Sequence, residues 1–363
     1  MSKKLFDFCI GNPPYQESRA TTKDIPVYND FMDVAYNVAS DVLLITPARF
    51  LFNAGATPKA WNEKMLNDPH FKVVDYIPNS NAIFANTDIK GGVAITYRSD
   101  RNKYEPIGEF ISNPMLRDIV GKVKKHGYDS LSNYMYGGRA DLKYNDLFLE
   151  TYPNYVSDRI KQIQKKKPSV TSLPPNEEYE LRNRAFEDAP YAFKEEIEKE
   201  NETEYYRILG LFGMKRVYRW LEKKYLTMRY PDNNNVQHYK VFISKASGTG
   251  AFGEKISEPI IGVPNEFSTP TFIGIGRFEK EIEAKNASNY IKTKFARALL
   301  SVLKITQDIV PGKFKYVPVQ DFSDDSDIDW SKSIHDIDLQ LYRKYGLSAE
   351  EVAFIEKNVK EME

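Results

Sequence analysis

The chain has 363 residues, of which 41% are hydrophobic and 28% charged, so it can bury the cores of two domains and wholesale disorder is excluded. Its 51 basic and 51 acidic side chains cancel to a net charge of zero, which excludes nucleic-acid binding through a global positive field and leaves only local basic patches for that purpose. The single cysteine, Cys9, excludes an internal disulfide and points to a reducing cytoplasm; with only four histidines scattered along the chain, no zinc pattern emerges.

The first hundred residues alternate between strand and helix signals. Leu5 to Ile10 is a short apolar run that stops at Gly11-Asn12-Pro13-Pro14, the profile of a buried strand ending in a turn. A helical period over Val27–Val38 places Phe31, Ala35 and Val38 on one side. Val42 to Ile45 predicts a second buried strand, stopped by Thr46-Pro47, and Pro58 to Leu66 an amphipathic helix. Phe71 to Ile77 and Val93 to Arg98 predict two further strands, the last opened by Gly91-Gly92. This alternation predicts an α/β domain with a mostly parallel, partial doubly wound sheet.

Composition shifts near residue 105. Lys165-Lys166-Lys167-Pro168 and Leu173-Pro174-Pro175 punctuate the next stretch. Helical segments are predicted over 192–202 and over the basic-aromatic stretch 205–225, followed by a Gly- and β-rich region from Tyr239 to Phe278. Two helical segments close the chain, and Ser348-Ala-Glu-Glu351 is a capping box for the last. The predicted organisation is an α/β domain over 1–104, a mixed α+β domain over 105–330 and a helical segment over 331–363. The N-terminus has no apolar signal-peptide core, and no run is long enough to span a bilayer.

Ile10-Gly11-Asn12-Pro13-Pro14-Tyr15 carries the chemistry. It follows a predicted strand directly, and open α/β sheets bind ligands beyond the carboxyl ends of their strands. An exocyclic base amine is a poor nucleophile because its lone pair is delocalised into the ring. Two acceptors that take both amino hydrogens can draw the lone pair out of conjugation. Asn12 offers a side-chain carbonyl, and Pro13 a main-chain carbonyl held by its fixed φ. Neither Pro13 nor Pro14 brings an N–H to compete. Tyr15 offers an aromatic face for a base swung out of a duplex, and base–aromatic stacking contributes about 1–3 kcal/mol. Catalysis by such a site is mostly positioning, so Cys9 reads as a core residue and not a nucleophile.

The segment Phe6-Asp-Phe-Cys-Ile-Gly-Asn-Pro-Pro-Tyr-Gln16 resembles the catalytic motif of the adenine-N6 DNA methylases of bacterial restriction–modification systems. Asp41 to Leu51 resembles the next strand of that family and its Pro-containing loop, and Phe71–Ile77 and Gly91–Tyr97 resemble its last two strands. Tyr290 to Arg297, Val317 to Phe322 and Leu341 to Ser348 are similar to its C-terminal specificity regions. The resemblance implies a Rossmann-like methyltransferase sheet followed by a target-recognition domain. It further implies methyl transfer from S-adenosylmethionine to a flipped adenine in double-stranded DNA, with Asn12, Pro13, Pro14 and Tyr15 as catalytic residues. The Gly-rich cofactor loop that such enzymes carry upstream of the motif is not in this sequence. Asn12 is then the shared edge of a cofactor pocket that a second chain, or an N-terminal half outside this sequence, is expected to complete. A literal Gly-x-Gly match at Phe272-Ile-Gly-Ile-Gly276 has no acidic strand end at the expected spacing. Related Asn-Pro-Pro-aromatic loops on rRNA or protein-glutamine methyltransferases, and a non-catalytic specificity subunit or inactive remnant, remain open as alternatives.

Lys215, Arg216 and Arg219, on the expected basic helix, and Lys245, in the Lys245-Ala-Ser-Gly-Thr-Gly250 loop, are the candidate DNA contacts. The Lys165–Lys167 run is equally a solvated face. A nuclease carboxylate set built from Asp232 and Glu283-Ala-Lys285 is a weaker pattern, common in charged helices.

Overall fold

The computed structural model describes residues 4–17, 25–53, 56–84, 89, 91–137, 139, 141–165, 167–230, 234–304 and 306–363. The chain divides into two compact units, residues 1–113 and 114–363. Among the described residues no helix is long and apolar enough to cross a membrane.

In the first unit the expected elements form: β1 (Phe6–Gly11), α1 (Tyr28–Val38), β2 (Ala39–Pro47), α2 (Lys59–Leu66), β3 (Phe71–Ile77) and β4 (Val93–Ser99). The sheet order is β1-β2-β4-β3. Only β1 and β2 are parallel; β4 lies antiparallel to both β2 and β3. The expected mostly parallel sheet is therefore corrected to a mixed one. The reason is the β3–β4 connection, whose described residues form no crossover α-helix of the kind that normally joins parallel neighbours.

Tyr28, Met32, Ala35 and Tyr36 of α1 pack with Val42 and Leu44 of β2, Trp61 and Met65 of α2, Phe71 and Ala94. Cys9 packs against this core, as its sequence position suggested. Two expectations fail here. Phe31, expected on one side of α1 with Ala35 and Val38, is exposed with Val34, because the Tyr28-Met32-Ala35-Tyr36 stripe takes the sheet. Strand β1 is not buried: Phe6, Phe8 and Ile10 are 60%, 66% and 76% exposed. Alternation puts these three on one face, opposite Cys9. β1 is also the sheet edge, paired only with β2 among the described residues.

The second unit begins with α3 (Pro114–Lys125) and contains β5 (Met135–Gly137), β6 (Tyr205–Phe212), β7 (Lys215–Glu222), β8 (Tyr239–Ser244), β9 (Ile260–Gly262), β10 (Glu266–Ser268) and β11 (Phe272–Phe278). It continues through α4 (Glu281–Lys292) and α5 (Lys294–Ser301) to α6 (Ile334–Lys344) and α7 (Ala349–Asn358). One sheet runs β7-β6-β10, another β9-β8-β11-β5. Ser348 and Glu351 form the expected capping box of α7.

Residues 205–225 are not helical. They form the antiparallel β6–β7 hairpin, with Phe212 opposite Lys215 across a two-residue Gly213-Met214 turn. Gly213 holds φ at +61°, as the first position of a tight hairpin turn requires. The expected helix over 192–202 is also absent: Lys194 exchanges two main-chain hydrogen bonds with Trp220, adding a bridge to the hairpin, and only a short 3₁₀ turn, Lys199–Glu204, follows. In both stretches long-range strand pairing wins over local helical periodicity.

Candidate active site and nucleic-acid interface

The parallel register, Gly11 opposite Leu44, brings the carboxyl ends of β1 and β2 to one edge of the sheet. The end of β3 and the start of β4 reach the same edge, because Pro47 and Ile77 both pair with Val93. The Asn12–Tyr15 loop leaves β1 here, where a parallel strand pair leaves open main-chain groups for a ligand.

Asn12 and Pro14 are exposed; Pro13 and Tyr15 are half-buried. The loop is anchored at its far end by the Val27 N–H, which donates to the Tyr15 carbonyl at 3.2 Å. The Tyr15 ring meets Phe84 edge to face, with centroids 6.3 Å apart and planes at 75°. Burial pushes the Tyr15 phenol up, opposed by the nearby Asn12 side chain. That phenolic oxygen is enclosed yet makes no hydrogen bond of ordinary geometry, so Asn12 acts on it by proximity. Asn12 itself is exposed to solvent.

Phe84 was not foreseen. It lies in the β3–β4 connection, where its N–H donates to the Ser80 carbonyl at 2.8 Å and the Ser80 hydroxyl accepts from Ile89 N–H at 2.8 Å. A lone aromatic in a polar loop carries no periodic signal. Only the return of that loop to the carboxyl edge of β1 makes it a neighbour of Tyr15.

The candidate DNA contacts have distinct surroundings. Lys215 and Lys245 are exposed. The Arg216 guanidinium donates to the Glu258 carbonyl at 2.8 Å and the Ser244 hydroxyl at 3.0 Å. Arg219 pairs with the Glu195 carboxylate at 2.6 Å. The hairpin brings Lys215, Arg216 and Arg219 together, whereas Lys245 follows β8. The Gly-rich loop after Lys245 is occupied from within: Thr249 and Gly250 N–H groups donate to the Glu254 carboxylate at 2.7 and 2.8 Å, and Lys304 pairs with it. Those contacts hold the Glu254 carboxyl down at about 2 against the cost of burial. The loop's amides therefore face a carboxylate of the same chain, leaving Lys245 as its open cation.

The Gly-x-Gly match is strand, not loop. Gly274 and Gly276 lie inside β11, which is antiparallel to both neighbours, and a Cβ on Gly274 would lie 2.2 Å from the Tyr136 ring. These are packing glycines. The Glu283 carboxylate accepts from the Glu279 and Lys280 N–H groups at the start of α4, which explains its place without chemistry. Asp232 and Lys166 lie outside the described residues.

Residues 1–84 match the family model described as Eco57I restriction-modification methylase. The matched stretch contains the Asn12–Tyr15 loop and strands β1, β2 and β3. No curated protein matches the chain. Among solved structures the chain is similar to the type IIG restriction endonuclease BpuSI, at 10% identity and TM-score 0.33, over 93% of this chain and 48% of that one. It is similar to the ATP-dependent Type ISP restriction-modification enzyme LlaBIII bound to DNA, at 10% identity and TM-score 0.28, over 84% and 28% respectively. It is also similar to the Type IIL restriction-modification enzyme MmeI in complex with DNA, at 12% identity and TM-score 0.27, over 97% and 56%. The chain thus spans between about a quarter and just over half the length of these three structures.

Proposed function

We propose that the chain carries the catalytic loop and the DNA-specificity part of an adenine-N6 DNA methyltransferase from a restriction–modification system. The observation that carries this reading is the Asn12–Tyr15 loop at the carboxyl edge of β1, inside the stretch that matches the methylase family. Asn12 Oδ1 and the Pro13 carbonyl accept the two hydrogens of an extruded adenine amine, and the ring of Tyr15, braced by Phe84, stacks on the base.

The methyl donor of this reading is S-adenosylmethionine. The described residues do not build its pocket: they offer Asn12 at its edge, the Phe272–Gly276 match is a packed antiparallel strand, and the amides of the Gly248–Gly250 loop are taken by Glu254. The uncovered face of β1, with Phe6, Phe8 and Ile10 exposed at an open sheet edge, supports a further polypeptide segment docking there to complete the fold. We assign that role to the cofactor-binding half of the enzyme, on a second chain or on a further part of the same polypeptide. Double-stranded DNA is the substrate, contacted by Lys215, Arg216, Arg219 and Lys245.

The test is transfer of labelled methyl to DNA by the chain together with such a half, compared with Asn12→Ala and Asn12→Asp. Asn12→Ala lowers kcat by a factor on the order of a hundred or more with DNA affinity retained, as for loss of one preorganised polar group. Asn12→Asp, which keeps an acceptor, retains part of the rate. Equal rates for Asn12→Ala and the unaltered chain rule out the assigned chemistry. DNA binding without methyl transfer in any combination would favour the non-catalytic specificity subunit instead.

A further inference from the structure

The tip of the β6–β7 hairpin presents an apolar pair to solvent. Met214 is 97% exposed and Phe212 47% exposed. Met214 contributes nothing to the core, and its full exposure leaves its side chain free to enter a ligand. The turn is also held rigid. Gly213 N–H donates to the Glu187 carboxylate at 3.0 Å, and the Arg219 guanidinium lies over the Phe212 ring at 5.6 Å.

Charge identifies the occupant. The two carboxylates beside the tip are neutralised within the chain, Glu187 by Arg184 at 2.8 Å and Glu195 by Arg219 at 2.6 Å. Lys215 is exposed, and Arg216 is bound only by a main-chain carbonyl and a hydroxyl, neither of which cancels its charge. The Glu258 carboxylate, whose main chain holds Arg216, is paired with Lys292. Two uncompensated cations therefore follow an apolar point on a two-stranded ribbon, one on each face of the strand that leaves the turn. A ribbon of this kind fits a groove of duplex DNA, and methionine is among the side chains that wedge between base steps. Its unbranched thioether adapts to an irregular gap.

We propose that the Gly213-Met214 turn is a DNA wedge: Met214 inserts at a base step while Lys215 and Arg216 engage the flanking phosphates. The proposal rests on duplex DNA being the ligand of this chain and goes beyond it in naming the residue that deforms the duplex. Because Met214 makes no core contact, its replacement leaves folding intact, which thermal melting verifies.

The experiment places the photoreactive residue p-benzoylphenylalanine at position 214 of the full chain and irradiates it with a randomised-sequence duplex library. Alongside it, Met214→Ala and Lys215→Ala are measured for duplex affinity across a salt series. The expected result is an adduct on a base, several-fold weaker binding for Met214→Ala with the salt slope unchanged, and a slope reduced by about one for Lys215→Ala. Unaltered affinity of Met214→Ala, or adducts on the sugar–phosphate backbone alone, overturns the wedge while leaving DNA as the ligand. Adducts on a second copy of the chain and not on DNA make the tip a protein-docking surface and also overturn it. Failure of the unaltered chain to bind any duplex removes both the wedge and the DNA reading.

Discussion

Tyr15 and Phe84 meet edge to face at 6.3 Å, one leaving β1 and the other closing the β3–β4 connection. The contact fixes the ring that the proposed adenine would stack on. Tyr15→Ala removes a stacking contribution of about 1–3 kcal/mol, so kcat/KM for methyl transfer falls by a factor of about 5 to 160. Tyr15→Phe retains most activity, and Phe84→Ala gives a smaller loss because it only loosens the brace. A steady-state comparison of the three variants checks this; an unaffected Tyr15→Ala sinks the stacking role.

The exposed face of β1 predicts a dissociation between stability and assembly. Phe8→Asp leaves the melting temperature of the isolated chain within about 2 °C, since exposed substitutions change stability by about 0.5 kcal/mol or less. The same change abolishes co-purification with the cofactor-binding half. A melting temperature lowered by many degrees would show Phe8 to be a core residue of the chain itself.

Glu254 predicts an acid-sensitive loop. Its folded pKa, about 2, lies below its ordinary 4.5, so the unfolded chain binds the extra proton between those values. Stability from this group is complete above pH 4.5 and is lost as the pH falls toward 2. Glu254→Gln, which removes the anion held by Thr249, Gly250 and Lys304, costs on the order of 1–3 kcal/mol at neutral pH. Denaturant unfolding of both proteins across this range should show the difference shrinking in acid. A difference that stays constant to the lowest pH contradicts the assignment.

Lys240 predicts a slope of the same sign, but at high pH. Its ammonium is fully buried and donates to the Val236, Val263 and Glu266 carbonyls at 3.2, 3.1 and 2.9 Å. Burial still lowers its pKa to about 8 from 10.5. Between those values the unfolded chain holds more protons, so this group's contribution to stability rises with pH. Relative to Lys240→Met, the unaltered chain gains stability from pH 8 to 10.5, measured by denaturant titration. A parallel pH profile for the two would show that the ammonium is not titrating there.

Local patterns carried a definite share of this molecule. A proline pair directly after an apolar run marks Asn12–Tyr15 as a loop at a strand end, and the first-unit strands and helices follow their apolar periods closely. These signals are short-range, because side-chain alternation and turn chemistry act within a few residues. Strand pairing was decided elsewhere. Lys215, Arg216 and Arg219 sit on a hairpin because β7 finds β6 across Gly213-Met214, and a basic-aromatic stretch is compatible with either period until that partner is known. The apolar run of Phe6, Phe8 and Ile10 reads as core, yet exposure depends on what covers a sheet face and not on the run itself. Phe84 beside Tyr15, and Glu254 in the amides of its own glycine loop, likewise come from chain segments meeting in space. The sequence by itself determined the chemistry available and the local elements that carry it. Only the tertiary structure decided which groups stand together and which faces stay open, because contacts between distant segments depend on the whole packed arrangement.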